Sequence, residues 1–378
     1  MKKRLLSIAL IPALLLGIFS GCSARQSAVK LEALSLQSQM QLSYATQFSV
    51  DYYEGGYKLI SLADGSRFLT IPESAAVPDD LDSSIVPVKQ PLQNIYLAAT
   101  SAMCLFDALG RLDAIRLSGT KAEGWYIDNA RKAMEAGDIL YAGKYSEPDY
   151  ELLLSEKSSL AVESMMIGHA ADVKAQLEQL GIPVFIDQSS NETHPLGRAE
   201  WIRLYGALLD EEDKAKALFD EQAEKMNEIA GESDTGKSVA FFYISSSGSV
   251  ITRKSGDYVS KMIELAGGQY IFKSLGDDGK KTSSYTLEME SFYQTAKDAD
   301  ILIYNATIAE ELHSLSELLQ KNELLKDFKA VKSGNVWCTA RSMYQETMVC
   351  GDLVQSFHRI FTDTTGELDE VPYLVRLK

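Results

Sequence analysis

The sequence predicts an α/β protein of two lobes joined by one long helix, and three observations carry that expectation. The first is the stretch from Arg198 to Gly231. There Trp201, Leu204, Tyr205, Leu208, Ala215, Phe219, Met226 and Ile229 recur at three-to-four-residue spacing, while Glu211, Glu212, Lys214, Lys216, Glu221, Glu224 and Lys225 fill the opposite face, as in an amphipathic helix. The second is a series of short apolar runs alternating with helical segments on its N-terminal side. The third is the restart of that rhythm on its C-terminal side. With 378 residues, 46% of them apolar, the chain is long enough to bury two cores of ordinary size.

Within the long stretch a break is expected near Leu209, because Asp210 followed by Asp213 reads as a fresh N-cap with acid in the first turn. Gly231 offers a C-cap, so the joining helix is about 20 residues and about 30 Å long. The lobe before it begins at Asn94. IYLAA (95–99) is a strand, TSAMCLFDALG a helix stopped at Gly110, AIRLSG (114–119) a strand and NARKAMEAG (129–137) a helix. DILYAG and SLAVESM supply two more strands, HAADVKAQLEQLG a helix and PVFID (183–187) the fifth strand, the pattern of a mainly parallel sheet covered on both faces. In the second lobe SVAFFYI (238–244), ADILIYNA (299–306) and NVWCTA (335–340) read as strands. GDYVSKMIELAGG, the segment from Leu287 to Asp298, LHSLSELLQKNELLKDF and the closing CGDLVQSFHRIF read as helices.

The N-terminal region is different. Lys2, Lys3 and Arg4 precede the apolar run LLSIALIPALLLGIF, and Ser20 and Gly21 lead into Cys22, a secretory-signal layout. A cysteine in that position resembles the bacterial lipobox, in which it is lipidated and becomes the mature N-terminus, although Phe19 stands where Leu is usual. The alternatives are an uncleaved anchor and an ordinary cleaved signal. The expected organisation is a signal peptide over 1–21, a lipid-anchored tether over 22–45 and a β-rich extension over 46–91. An α/β lobe over 92–208, the joining helix over 209–231 and a second lobe over 232–378 follow. The extension is read from FSVDYY, GYKLISL and RFLTI, separated by the turn dipeptides Gly55-Gly56 and Asp64-Gly65.

A formal charge of −16 and a pI near 4.8 argue against a nucleic-acid partner, which requires clustered cations. Four cysteines without CxxC spacing argue against a structural zinc site. Cys338 and Cys350 either form a disulfide or stay thiols, and Cys104 is expected as a buried thiol. No GxSxG, HExxH or Walker A segment occurs, so no catalytic residue, resident metal or cofactor is expected.

NIYLAATSAMCLFDALGRLDAI, PDYELLLSEKSSLAV, LEQLGIPVFI, SGDYVSKMIELAGGQYIF and KSGNVWCTA together carry a resemblance covering about residues 92–360. The chain resembles the class III substrate-binding proteins of bacterial ABC importers, the siderophore, haem and cobalamin group of periplasmic-binding-protein type 2 lipoproteins. The residues before Gln90 depart from its compact members. The resemblance implies two Rossmann-like lobes joined by one long rigid helix, the class III periplasmic-binding-protein fold. It also implies a monomeric, lipid-anchored protein on the extracytoplasmic face of the cell membrane. Such a protein delivers a metal chelate (ferric siderophore, haem or corrinoid) to an ABC permease and its ATPase. In such proteins one surface glutamate on each lobe docks to the permease. The matching positions are Glu151 and Glu290, with Glu288 a rival for the second.

Open α/β sheets bind ligands at the C-terminal ends of their strands. Those ends carry Tyr126, Tyr145, Met165, Met166 and His169 on the first lobe and Arg253, Arg341 and Tyr344 on the second. Rings for stacking and arginines for fixed-geometry bonds suit a large, partly apolar, anionic ligand rather than a bare cation. Arg198 either reaches the ligand or pairs with Glu192 or Glu200. His169 and His194 either meet a metal complex or serve as capping or hydrogen-bonded loop residues, and Met165 and Met166 line a ligand face or simply pack.

Overall fold

The computed structural model describes residues 34–79, 81–230, 234–275 and 283–378. Two separate α/β sheets form its two lobes. All five strands of the first come from residues 95–187, and their spatial order is Val184–Asp187, Ala161–Ser164, Ile95–Leu97, Ile115–Ser118, Leu140–Tyr141. Every pairing in this sheet is parallel. Parallel strands need helical crossovers that cover both faces, which accounts for the unbroken apolar runs IYL, AV and VF. Gly110 ends the first helix in a left-handed conformation (φ 69°) that glycine adopts at no steric cost.

In the second sheet Ser238–Ile244, Ile301–Tyr304 and Val336–Thr339 form the parallel centre, with the short strand Gln269–Tyr270 also parallel to the first of these. The flanks are antiparallel. Val250–Arg253 and Ser284–Leu287 add one edge, and Leu374–Arg376 with Glu370–Val371 add the other. Two expectations change here. Leu287, expected to open a helix, ends a strand, and that helix is Met289–Ala296. The final strand is not 335–340, because the chain returns after its closing helix, Cys350–Thr362, to cover the edge that strand would otherwise leave open.

The long central stretch is two consecutive helices, Pro195–Leu209 and Glu212–Ala230. The break falls where expected, but Asp210 is not an N-cap. It closes the first helix in the left-handed region (φ 58°, ψ 40°), a conformation that a short polar side chain tolerates. The two helices approach so closely that a Cβ at Gly206 would lie 2.5 Å from the Ala215 Cβ. The leading helix is buried along nearly its whole length, with Trp201, Ile202, Leu204 and Tyr205 fully covered. The second is amphipathic, burying Ala215, Phe219 and Met226. It is fastened to the closing helix by Gln222, whose Oε1 accepts from the Gly351 N–H at 2.9 Å, and by the Lys225–Asp352 ion pair at 3.0 Å.

The N-terminal extension is a five-stranded sheet in sequence order, Leu36–Gln39, Phe48–Tyr53, Lys58–Leu62, Arg67–Ile71 and Ile85–Lys89, antiparallel except for its last pair. Residues 36–45, expected to belong to a tether, are therefore part of the folded body. Ser43 to Gln47 run over the central helices, and five consecutive backbone N–H groups meet two buried carboxylates there. The Glu200 carboxylate accepts from Ser43 (2.9 Å), Tyr44 (2.7 Å) and Ala45 (2.8 Å), and Glu192 accepts from Thr46 (2.8 Å) and Gln47 (3.0 Å). Thr46 Oγ1 (3.0 Å) and Trp201 Nε1 (3.2 Å) also donate to Glu192. Burying two carboxylates is costly unless each is fully hydrogen-bonded, and this arrangement meets that condition. Farther along, buried Lys58 donates to the Ala207 carbonyl (3.0 Å) and to Asp210 (2.7 Å), and it pairs with Glu212, so the extension also clasps the turn between the helices.

Candidate functional site

The lobes face each other with the loops at their strand ends, and side chains bridge them at two places. At one, the Arg198 guanidinium lies 3.7 Å from the centre of the Tyr258 ring, on the first helix of the second lobe. Arg198 reaches neither the Glu192 nor the Glu200 carboxylate. It donates instead to the backbone carbonyls of Glu192 (3.1 Å) and Ser190 (2.7 Å). This contact walls a cavity of about 420 Å³, with Ser190, Asn191 and Thr193 on one side and Lys254, Ser255, Asp257, Ser283 and Tyr285 on the other. Asp257 is buried, caps Val259 N at 2.9 Å, and has its pKa raised chiefly by burial. Arg253 sits behind it, 3.8 Å from its carboxylate and 3.3 Å from Ser283 Oγ. Arg253 is thus the last residue of an antiparallel strand rather than part of a strand-end loop.

At the second bridge three predicted residues come together across the lobes. The Arg341 guanidinium lies 5.6 Å from the centre of the Tyr126 ring, and the Tyr344 ring meets Tyr126 edge-on with centroids 6.3 Å apart. Beside them is Gln345, which the sequence reading missed. It is fully buried, its Oε1 accepts from Tyr126 N (2.8 Å), and its Nε2 donates to the Gly124 carbonyl (2.8 Å) and to the Tyr344 hydroxyl oxygen (2.8 Å). Two of its three partners are backbone groups about 220 residues away in sequence, so no local pattern marks it.

Met165, Met166 and His169 lie on one 3₁₀ turn at the end of the strand Ala161–Ser164. Both methionines are largely exposed, at 44% and 48%, and so is His169, so none of the three is core packing. His194 is a cap: its Nδ1 accepts from Leu196 N at 3.1 Å, its ring stacks on Tyr44, and burial lowers its pKa. Tyr145 is half-buried in the two-residue turn of a small hairpin formed by Gly143–Lys144 and Glu147–Pro148. Behind the methionine turn Glu163 is buried in its strand with no hydrogen bond to either carboxylate oxygen among the described residues, and burial pushes its pKa up to about 8.

Glu151 is exposed in the first turn of the helix Tyr150–Ser155, just after that hairpin. Glu290 is exposed in the first turn of Met289–Ala296, and Glu288 is exposed at that helix's N-cap position. The ladder Ile244–Val250–Leu287 puts this second pair at the strand-end side of its sheet. Cys104, Cys338 and Cys350 are separate buried thiols, so no disulfide joins the last two. Cys22 lies outside the described residues. Among the described residues, no cluster of three His, Cys, Asp or Glu could hold a metal ion, and no helix is long and apolar enough to cross a membrane.

A two-lobed α/β body with loops facing across one cleft matches known proteins. Residues 105–341 fit the model of the periplasmic binding protein family. The chain belongs to that family. Two lipoproteins of Methanocaldococcus jannaschii, both named uncharacterized, are similar to this periplasmic binding protein. One is 24% identical over 377 residues, covering 91% of this chain and 89% of the relative. The other is 23% identical over 407 residues, covering 100% of both. Among solved structures, a periplasmic haem binding protein from Pseudomonas aeruginosa superposes with a TM-score of 0.59 at 14% identity, covering 76% of this chain and 98% of that one. A possible iron-binding periplasmic solute-binding protein from Staphylococcus epidermidis gives 0.54 at 19%, covering 71% and 98%. The periplasmic vitamin B12 binding protein of Vibrio cholerae gives 0.51 at 17%, covering 71% and 95%. At these identities the likeness is one of fold. Members of this family are extracytoplasmic substrate-binding components of transporters, not enzymes.

Proposed function

We propose that this periplasmic binding protein captures a metal chelate, specifically a ferric siderophore, between its lobes and delivers it to an ABC permease and its ATPase. The supporting observation is the group of Arg341, Tyr126 and Tyr344 drawn together across the cleft. A guanidinium offers fixed-geometry donors to anionic oxygens, and two rings offer flat apolar contact, so the group suits a bulky complex with an oxygen-rich, negatively charged surface. Arg198 adds a second cation at the other bridge. A second reading, haem or a corrinoid, is favoured by the exposed turn carrying Met165, Met166 and His169, where soft apolar side chains and one imidazole stand together.

Titration of the protein with ferric hydroxamate and catecholate complexes, haem, cobalamin and free ferric and divalent ions tests both. A ligand held only by the folded state raises its stability by about 2.7 kcal/mol at a hundredfold excess over Kd. Trp125, buried one residue from Tyr126, should report binding by fluorescence quenching. The expected result is submicromolar binding of a ferric siderophore. Haem or cobalamin binding alone would select the second reading, and binding of free ions with no response to any chelate would overturn both.

Docking falls to Glu151 and Glu290 in this reading, with Glu288 the rival for the second. Rim charges govern association with a partner more than affinity inside a pocket. Reversing both, Glu151→Arg with Glu290→Arg, should abolish stimulated transport in reconstituted vesicles and leave ligand Kd within twofold. A tenfold loss of affinity would instead assign one of them to the ligand site. Both Methanocaldococcus jannaschii relatives are named lipoproteins. Lipidation of Cys22 would anchor this chain in the same way at the extracytoplasmic face of the membrane, and mass spectrometry of the membrane-extracted protein should find the modified cysteine.

A further inference from the structure

Gln345 is fully buried between the lobes, and its amide group is used almost to capacity. One Nε2 hydrogen goes to the Gly124 carbonyl and the other to the Tyr344 hydroxyl oxygen, while Oε1 accepts from Tyr126 N, all at 2.8 Å. The backbone partners fix which end of the amide is nitrogen, since a carbonyl only accepts and an N–H only donates. The side chain thus reads residues 124 and 126 as a neighbouring β-strand would, and it is a polar link between lobes made by a fully buried side chain. Its removal would leave one backbone N–H and one carbonyl unsatisfied at the seam.

The third bond has a chemical consequence. Because the Tyr344 oxygen already accepts from Gln345, its own O–H is turned away from that buried amide. Tyr344 is 39% exposed, so its hydroxyl hydrogen has an open direction in which to point. Arg341, exposed and set against the Tyr126 face, presents further donors from the same short turn.

We propose that Gln345 is the positioning residue of the cleft: its amide latches the second lobe onto the 124–126 loop and turns the Tyr344 hydroxyl outward as a donor, selecting ligands that present an acceptor oxygen there. This rests on the reading of Tyr126 and Tyr344 as ligand-facing residues. The latch itself does not.

The test separates the two. Spin labels at Lys144→Cys and Ser246→Cys, one exposed position on each lobe, report the inter-lobe distance in the full chain, whose described native thiols are buried. Gln345→Met keeps the length of the side chain without its bonds. It should broaden and lengthen the distance distribution and weaken binding of the ferric siderophore or haem probe at least tenfold. Tyr344→Phe should weaken the same probe about tenfold without changing the distance distribution. The double variant should bind no worse than Gln345→Met alone, because the hydroxyl is already undirected there. An unchanged distance distribution in Gln345→Met overturns the latch, and full additivity of the two variants overturns the directed hydroxyl. If Tyr126→Ala leaves the affinity for every probe unchanged, the assignment of this face to the ligand fails, and the distance measurement still decides the latch.

Discussion

Replacing Glu200 by leucine should destabilise the protein by about 3–5 kcal/mol, among the largest losses available to a single side chain in this fold. The carboxylate is fully buried and receives the N–H groups of Ser43, Tyr44 and Ala45. Leucine would leave all three without an acceptor, at about 1–3 kcal/mol for each that water cannot reach. Part of that loss is recovered if residues 43–45 lift off, which is why the expected total is less than the sum. Glu200→Gln keeps one acceptor oxygen and should lose roughly half as much. Urea unfolding followed by tryptophan fluorescence measures both, since Trp201 lies on the same helix. A loss under 1 kcal/mol for the leucine variant would mean that the strap of residues 43–47 is not part of the cooperative unit.

The second large effect has the opposite sign. Glu163 holds its proton to about pH 8 in the folded protein against an ordinary value of 4.5, because burial penalises the charged form and neither oxygen has a hydrogen-bond partner among the described residues. The unfolded chain releases that proton near pH 4.5. The folded state therefore binds the extra proton across the window from 4.5 to about 8, and the contribution of this group to stability falls as pH rises through it and levels off above. At pH 7 the cost is about 3 kcal/mol, at about 1.4 kcal/mol per pH unit. Glu163→Met should remove it, stabilising the protein by about that amount at pH 7 and by almost nothing at pH 4. Thermal or urea unfolding of both proteins at pH 4, 5.5, 7 and 8.5 gives the difference curve. A flat difference would show that the carboxyl is hydrated or paired in solution.

These two residues also mark where sequence reading stops. The central strands of both lobes could be located because fully buried parallel strands are continuous apolar runs, as in Val239–Phe242 and Ile301–Tyr304. Glu163 breaks that rule within AVES, and no local feature distinguishes a buried glutamate from an exposed one. The separation into two helices was legible, but the role of Asp210 was not, because aspartate is favoured both as an N-cap and in the left-handed turn it adopts here. The extension read as β-rich from its alternation and turn dipeptides. Its outermost strands were missed because Leu36–Gln39 is short and exposed and Ile85–Lys89 is interrupted by Pro87. The expectation that Tyr126, Arg341 and Tyr344 lie at strand ends rests on strand order alone, and the three side chains do meet between the lobes. Arg198 was identified as important, but its carbonyl and ring partners were not foreseeable from neighbouring acids.

The contact between residues 43–47 and the two buried glutamates also determines how the molecule is held. Behind the first strand of the extension, Leu36–Gln39, the chain is held to Glu200 on the leading central helix and to Glu192 just ahead of that helix, with Tyr44 touching both His194 and, edge-on, Phe219 on the second helix. A load on this segment therefore enters at the shared axis of the molecule as well as through the extension's packing on the first lobe, where the Phe68 and Phe185 rings lie 5.1 Å apart. A leash attached to one lobe would bias that lobe toward its attachment point whenever it tightened, and so would open or skew the cleft. The hold at the axis opposes that bias, because it moves both lobes together, like a blade held at its tang, and leaves their mutual geometry to the bonds across the cleft.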